Sequence, residues 1–140
     1  MATLVMYNAY ASIAGVNLSD HVRTVTLDTG QNMLDDTAMG DTTVSNAAGL
    51  ATWSVTIEFL QDYAASNVDA TLEGELGIAN TSGTALILKP NGATTATANP
   101  KYTGTAILES YNPIAGTVGD QAMATATFQS KSALTRATSD

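Results

Sequence analysis

His21 is the only histidine in the chain, and there is no cysteine. A Ser-His-Asp nucleophile would have to recruit His21, yet no Gly-x-Ser-x-Gly elbow is present to lift a serine onto a strained turn. His21 reads instead as a polar residue at a strand entrance. Zinc needs more His or Cys ligands than the chain holds. Gly74-x-x-Gly77 falls late in a helical stretch, not at its start, so it is no phosphate loop. Asp35, Asp36 and Asp41, with neighbouring Thr and carbonyl oxygens, have the chemistry of a Ca²⁺ site, but EF-hand spacing is absent and a solvated acidic loop is the simpler reading. Glu58 and Glu109 have the chemistry of a glycosidase carboxylate pair. A sugar site would normally surround them with aromatic rings, and the one Trp, Trp53, falls on the opposite strand face from Glu58. No residue set reads as catalytic, no metal is expected, and no cofactor is expected.

The elements that carry these residues read mainly as strands. Leu4 to Ile13 suits a strand, Ala14-Gly15 a turn, and Val22 to Gln31 a second strand with Thr24, Thr26 and Asp28 on one face. From about Asn32 to Gly49 the alternation stops, and a long loop is expected there. Leu50 to Leu60 alternates cleanly: Ala51, Trp53, Val55, Ile57 and Phe59 against Thr52, Ser54, Thr56 and Glu58. Asn67 to Leu76 reads as the one helix, with Ser66 and Asp69 as a capping pair, Val68, Leu72 and Leu76 as its apolar stripe, and Gly77 as its stop. Thr84 to Lys89, Lys101 to Tyr111 and Gln121 to Ser130 complete the strands. Lys131 to Asp140 has no period and is expected to be an arm or tail. The expected fold is therefore mainly β: a sandwich or open barrel of six to seven strands, one flanking helix and a long inter-strand loop. It forms one domain over residues 1–131, with a flexible arm at 132–140.

Composition narrows the function. The 140 residues carry 13 acidic and 5 basic groups, a formal net charge of −8. Nucleic-acid binding needs clustered Lys and Arg, so a free-standing binder is not expected. No apolar run approaches the roughly 20 residues that span a bilayer, and the first 15 residues have no Lys or Arg, so neither a membrane helix nor a secretory signal is expected. Only 13% of residues are charged, about half the usual share, and Thr and Ala each make up about a sixth. Such a mild surface suits a protein covered by copies of itself. The polar strand faces sharpen this. Thr24, Thr26 and Asp28; Thr52, Ser54, Thr56 and Glu58; Thr103, Thr105 and Glu109; and Gln121, Thr125, Thr127 and Gln129 include no Lys or Arg. An exposed sheet face usually mixes in lysines. A face free of cations is one that does not grip polyanions, and repeated around a ring its field is focused into the bore.

Several stretches carry a resemblance. They are Gly15-Val16-Asn17-Leu18-Ser19-Asp20-His21-Val22-Arg23; Leu34-Asp35-Asp36-Thr37-Ala38-Met39-Gly40-Asp41-Thr42; Trp53-Ser54-Val55 with Gln61-Asp62; Val68-Asp69-Ala70-Thr71-Leu72; and Asn99-Pro100-Lys101-Tyr102-Thr103-Gly104. In this order they resemble the tail tube (major tail) proteins of bacteriophages with long, non-contractile tails. The resemblance implies hexameric rings stacked into a tube inside the virion tail, assembled in the host cytoplasm. It implies partners too: further copies of the chain, the tape-measure protein, and the terminator and baseplate or tip proteins. DNA would pass through without specific binding. On this reading Thr24, Thr26, Asp28, Thr52, Ser54, Thr56, Glu58, Thr103, Thr105, Glu109, Thr125 and Thr127 face the lumen. Met33, Leu34, Asp35, Asp36, Met39, Asp41 and Val44 sit on a loop that reaches the adjacent ring. The competing readings are an Ig-like or lectin-like binding module and another tail component, such as a terminator or decoration protein.

Overall fold

The structure is a computed structural model that describes residues 3–76 and 82–139. The expected helix stop at Gly77 lies outside the described residues. Eight strands form one antiparallel sheet: β1 (Tyr10–Ile13), β2 (Val16–Asn17), β3 (Val22–Asp35), β4 (Asn46–Leu60), β5 (Thr84–Lys89), β6 (Lys101–Tyr111), β7 (Met123–Ser130) and β8 (Thr135–Ala137). Their order is β2-β1-β5-β6-β7-β4-β3, with β8 on the first residues of β6. The mainly β class with one short helix is as expected.

Where the strands cover the core, one face of each is apolar. Trp53, Val55, Ile57 and Phe59 of β4 meet Ala124, Ala126 and Phe128 of β7, Ala106, Leu108 and Tyr111 of β6, and Leu86 and Leu88 of β5 in one buried cluster. Val22, Val25 and Leu27 of β3 and Leu134 pack against its margin. Alternate residues of a strand point to opposite faces, so this burial commits the intervening polar residues to the outer face. Sliding β4 by one residue would bury Glu58 and expose Phe59.

The helix is shorter than its sequence pattern. It spans Val68–Glu73 and buries Val68 and Leu72 against the core cluster. The expected capping pair does not form: Ser66 adopts φ of 63°, Asn67 takes the N-cap position, and no side chain caps the helix. Asp69 instead accepts a 2.9 Å hydrogen bond from the Tyr111 hydroxyl, tying the helix to β6. Leu76, expected on the apolar stripe, lies beyond the helix and is exposed.

Three other expectations are corrected. The non-alternating stretch 32–49 is not a loop along its whole length, since Met33, Leu34 and Asp35 pair with Ala48, Ala47 and Asn46. Only residues 36–45 connect the strands. The alternation vanishes because this part of β3 and β4 overhangs β7 and has no core to face. Of the tail expected at 132–140, the described residues 132–139 are not a free arm, since Thr135–Ala137 pairs with Lys101–Thr103 and Leu134 packs on the core. Trp53 holds the turn into it, its indole N–H donating to the Ser132 carbonyl at 2.7 Å. The first strand also begins later than its sequence pattern, at Tyr10 rather than Leu4.

Candidate assembly surface

The outer face of β3, β4, β7 and the second half of β6 is a polar grid fixed by strand register. Thr24, Glu58 and Thr125 form one row. Thr26, Thr56, Thr127 and Ser110 form the next, and Asp28, Ser54, Gln129 and Ile107 the third. Adjacent strands stand about 4.8 Å apart and same-face residues about 7 Å apart along a strand. Glu109 belongs to this surface through a bulge. The ladder slips between Leu108 and Ser110, and the Glu109 carboxylate accepts a 2.8 Å hydrogen bond from Gln129 Nε2. A bulge bends its strand and re-aims the side chain it carries.

The structure does not gather all the expected lumen residues. Thr52 lies one step beyond the grid, opposite Gly30, where β4 has left β7. Thr103 and Thr105 sit in the other half of β6, opposite Ile87 and Ala85 of β5, and are half-buried. Ser132 leans on them, its hydroxyl accepting the Thr105 N–H at 3.0 Å. The reason is that β6 pairs with β5 and β8 in its first half and with β7 in its second. Lys101 is two residues before Thr103 on the same face of β6, so that half of the strand is not free of cations.

Charge divides along the same line. Asp28, Glu58 and Glu109 are the ionisable groups of the grid. Lys89 on β5, Lys101 on β6 and Arg136 on β8 belong to the other half, and Lys131 follows β7 just beyond the ribbon end of the grid. Arg23, the fifth base, occupies a second bulge, between Val22 and Thr24 at the start of β3. The polar strand faces are legible in the sequence, but this division is not, because it depends on which strands pair with which half of β6.

The grid is bounded by strand edges with no partner among the described residues. There β3 pairs only with β4, from Val22 to Asp35 with two register shifts. Beyond Ala106, β6 pairs with β7 alone among the described residues. Such rows of unpaired N–H and C=O groups are templates for another chain.

At one end of the grid β3 and β4 run on as a two-stranded ribbon about 20–25 Å long. It carries Met33, Leu34 and Leu50, and the connection beyond it carries Met39 and Val44, all exposed. Asp41 accepts the Ala38 N–H at 2.7 Å and Asp35 accepts the Thr37 N–H at 2.9 Å, so these two carboxylates shape the tip. Thr37, through its hydroxyl and its N–H, holds the Asp35 carboxyl below its ordinary range. At the other end, His21 faces Asp20 Oδ1 and Asp62 Oδ2, each at 2.9 Å. The Ala64 N–H and then the His21 hydrogen bond lower the Asp62 pKa. Nearby, Tyr111 is buried and its phenol is pushed up to about 12, chiefly by burial, with Asp69 adding to the rise and Gln61 opposing it. Among the described residues no group of three or more His, Cys, Asp or Glu is placed to hold a metal ion, and no helix is long and apolar enough to cross a membrane.

No family model matches the chain, and no curated protein matches it. Solved structures do. The chain is similar to one in the virion of a native gene transfer agent particle, with a TM-score of 0.69 and 12% identity over 92% of this chain and 95% of the other. It is also similar to one in the sheath–tube complex of the extracellular contractile injection system PVC in its extended state, with a TM-score of 0.69 and 10% identity over 97% and 92%. A chain in the tail of an empty gene transfer agent particle with C6 symmetry aligns with a TM-score of 0.60 and 13% identity over 82% and 81%. The fold is thus shared with components of phage-like tails.

Proposed function

We propose that the chain is a structural subunit that polymerises as stacked, hexameric rings into a phage tail tube. The observation that carries this reading is the cation-free grid bounded on both sides by open strand edges. If the β3 edge of one copy pairs with the Ile107–Tyr111 edge of the next, the contact is heterologous, and a heterologous contact that closes makes a ring. Closure satisfies both edges and turns the grid into the wall of a bore. Asp28, Glu58 and Glu109 with the hydroxyl residues of the grid then face the lumen. Thr52 lies at its mouth, and Thr103 and Thr105 line the junction with the outer half of the subunit.

The bore is a conduit rather than a catalyst. It encloses the tape-measure protein and later conducts DNA, which slides because no cation on the grid holds its phosphates. The ribbon with Met33 and Leu34, and the tip with Asp35, Asp36, Met39, Asp41 and Val44, reach the adjacent ring. Terminator and baseplate or tip proteins close the ends, and the protein resides in the virion tail. The sixfold tail and the sheath–tube complex among the similar structures support this reading at the level of fold. Negative-stain microscopy of the purified protein tests it: rings or tubes are expected, and discrete monomers at every concentration would refute it. Deleting Leu34 to Thr43 should leave a folded subunit that cannot polymerise, and tubes of normal length from that deletion would remove the ribbon's role.

A further inference from the structure

The two ends of the grid carry complementary surfaces. Below the ribbon is an open groove of about 710 Å³. Its apolar lining is Met33, Trp53, Ala133 and Leu134, and Lys131 stands in its wall. Lys131 makes no ion pair with any described residue. The groove lies where β4 has run past the end of β7, so it is floored by strand on one side and by the turn into β8 on the other. At the far end of the same strands the β6–β7 connection, residues 112–122, projects from the sheet. It is built as a knob: the Met123 N–H donates to the Ala115 carbonyl and the Asp120 N–H to the Thr117 carbonyl. Ile114 and Val118 stand on it at 86% and 103% exposure. Asp120 stands beside them and makes no ion pair among the described residues. The described structure offers neither bare aliphatic side chain a neighbour of its own.

We propose that the groove beneath the ribbon receives the 112–122 knob of a second copy of this chain, with Ile114 and Val118 against Trp53, Met33 and Leu134 and Asp120 beside Lys131. The inference rests on the tube reading for its stacking axis and deepens it by naming the axial contact. The argument is one of shape and charge. β4 runs from the ribbon to the knob end, so groove and knob occupy opposite poles of one subunit and cannot meet within it. Between copies they meet head to tail, a heterologous contact that repeats without limit and therefore extends a tube. The contact would cover Ile114, Val118 and Met33, which the free subunit leaves exposed. The Asp120–Lys131 pair sets the register more than the affinity.

Trp53 is the only tryptophan, and it lines the groove at 6% exposure, so a side chain seated there should shift its emission modestly. Three variants are compared with wild type by sedimentation, negative-stain microscopy and Trp53 emission across a concentration series: Ile114→Ser with Val118→Ser, Lys131→Glu alone, and Asp120→Lys with Lys131→Glu. Wild type should show a concentration-dependent Trp53 shift that accompanies tube growth. Ile114→Ser with Val118→Ser should keep the monomer's melting temperature, form rings without stacking them, and lose the shift. Lys131→Glu should raise the concentration needed for tubes about three- to tenfold, and the charge-swapped pair should restore most of it. Tubes and a Trp53 shift from the serine variant equal to wild type would overturn the contact and leave the tube reading standing. A shift abolished by removing residues 1–7 but not by the serine changes would place the N-terminal segment in the groove, and would also overturn it. Wild-type protein that never assembles would overturn both.

Discussion

Replacing Tyr111 by Phe removes one hydroxyl from a buried site where three elements meet. That hydroxyl donates to Asp69 at 2.9 Å and accepts from Gln61 at 2.9 Å, joining the helix, the end of β4 and the end of β6. Phe keeps the ring, so no large cavity forms and the change isolates the polar contacts. A hydrogen bond to a charged acceptor contributes about 1.5–3 kcal/mol. Gln61 keeps a second acceptor in the Pro113 carbonyl at 2.6 Å, so it is not left unpaired. With an unfolding entropy of about 2 cal/mol/K per residue, the 140-residue chain should melt about 5–10 °C lower. A pH series adds a second signature. The Tyr111 phenol is raised from 10.0 to about 12 in the folded state. Its contribution is fully present below pH 10, where the unfolded phenol also keeps its proton, and is lost as pH rises through about 12. Two pKa units correspond to about 3 kcal/mol. Wild type should therefore lose stability between pH 10 and 12 more steeply than Tyr111→Phe. Thermal unfolding by circular dichroism from pH 7 to 12 measures both. Equal melting temperatures at pH 7 and parallel curves above pH 10 would show that the hydroxyl does not tie the helix to the sheet.

Glu58→Lys with Glu109→Lys should leave tubes able to assemble but slow the passage of DNA, with a deficit that shrinks as salt rises. Ejection at the wild-type rate would count against the lumen assignment. Gly104→Ala should destabilise the fold by about 1–3 kcal/mol, because the added Cβ would lie 2.7 Å from Trp53 Cζ2 and 3.4 Å from Leu134 Cδ1. Chemical denaturation followed by Trp53 emission measures that loss. Asp35 has a lowered carboxyl pKa, so its hold on the ribbon tip is present above about pH 4 and lost as pH falls through its folded value. Amide exchange at Thr37 should quicken over that acid range in wild type but show no such step in Asp35→Asn.

The parts of this molecule that face its own core were legible in the sequence. The alternation of Trp53, Val55, Ile57 and Phe59 fixed β4 and its wet face because burial acts on every second residue. The ribbon was not legible for the same reason: Met33 to Asp35 and Asn46 to Ala48 pair with each other but bury nothing, so no period marks them as strand. Two features depend on long-range packing. Asp69 has the sequence position of a capping residue, yet Tyr111, distant in the chain, takes its carboxylate. The segment after Ser130 looks featureless because Leu134 is its one large aliphatic residue on the core, and a single apolar residue has no period. Glu109 was expected among the lumen residues, but its bulge was not, since an extra residue in a strand is visible only against its partner. Thr103 and Thr105 alternate with apolar neighbours as Thr125 and Thr127 do, so only the course of β5 separates the two pairs.

The bare margin of β3 has a cost for the solitary subunit. At fourteen residues it is more than twice the length of an ordinary strand. Irregularities near Arg23 and between Gln31 and Met33 interrupt it, and no proline blunts it. Such an edge is most vulnerable just after the chain folds, when any other exposed backbone can pair with it. On the tube reading, dilution, prompt recruitment to a growing end and the repulsion between bodies of net charge −8 would keep that margin clean.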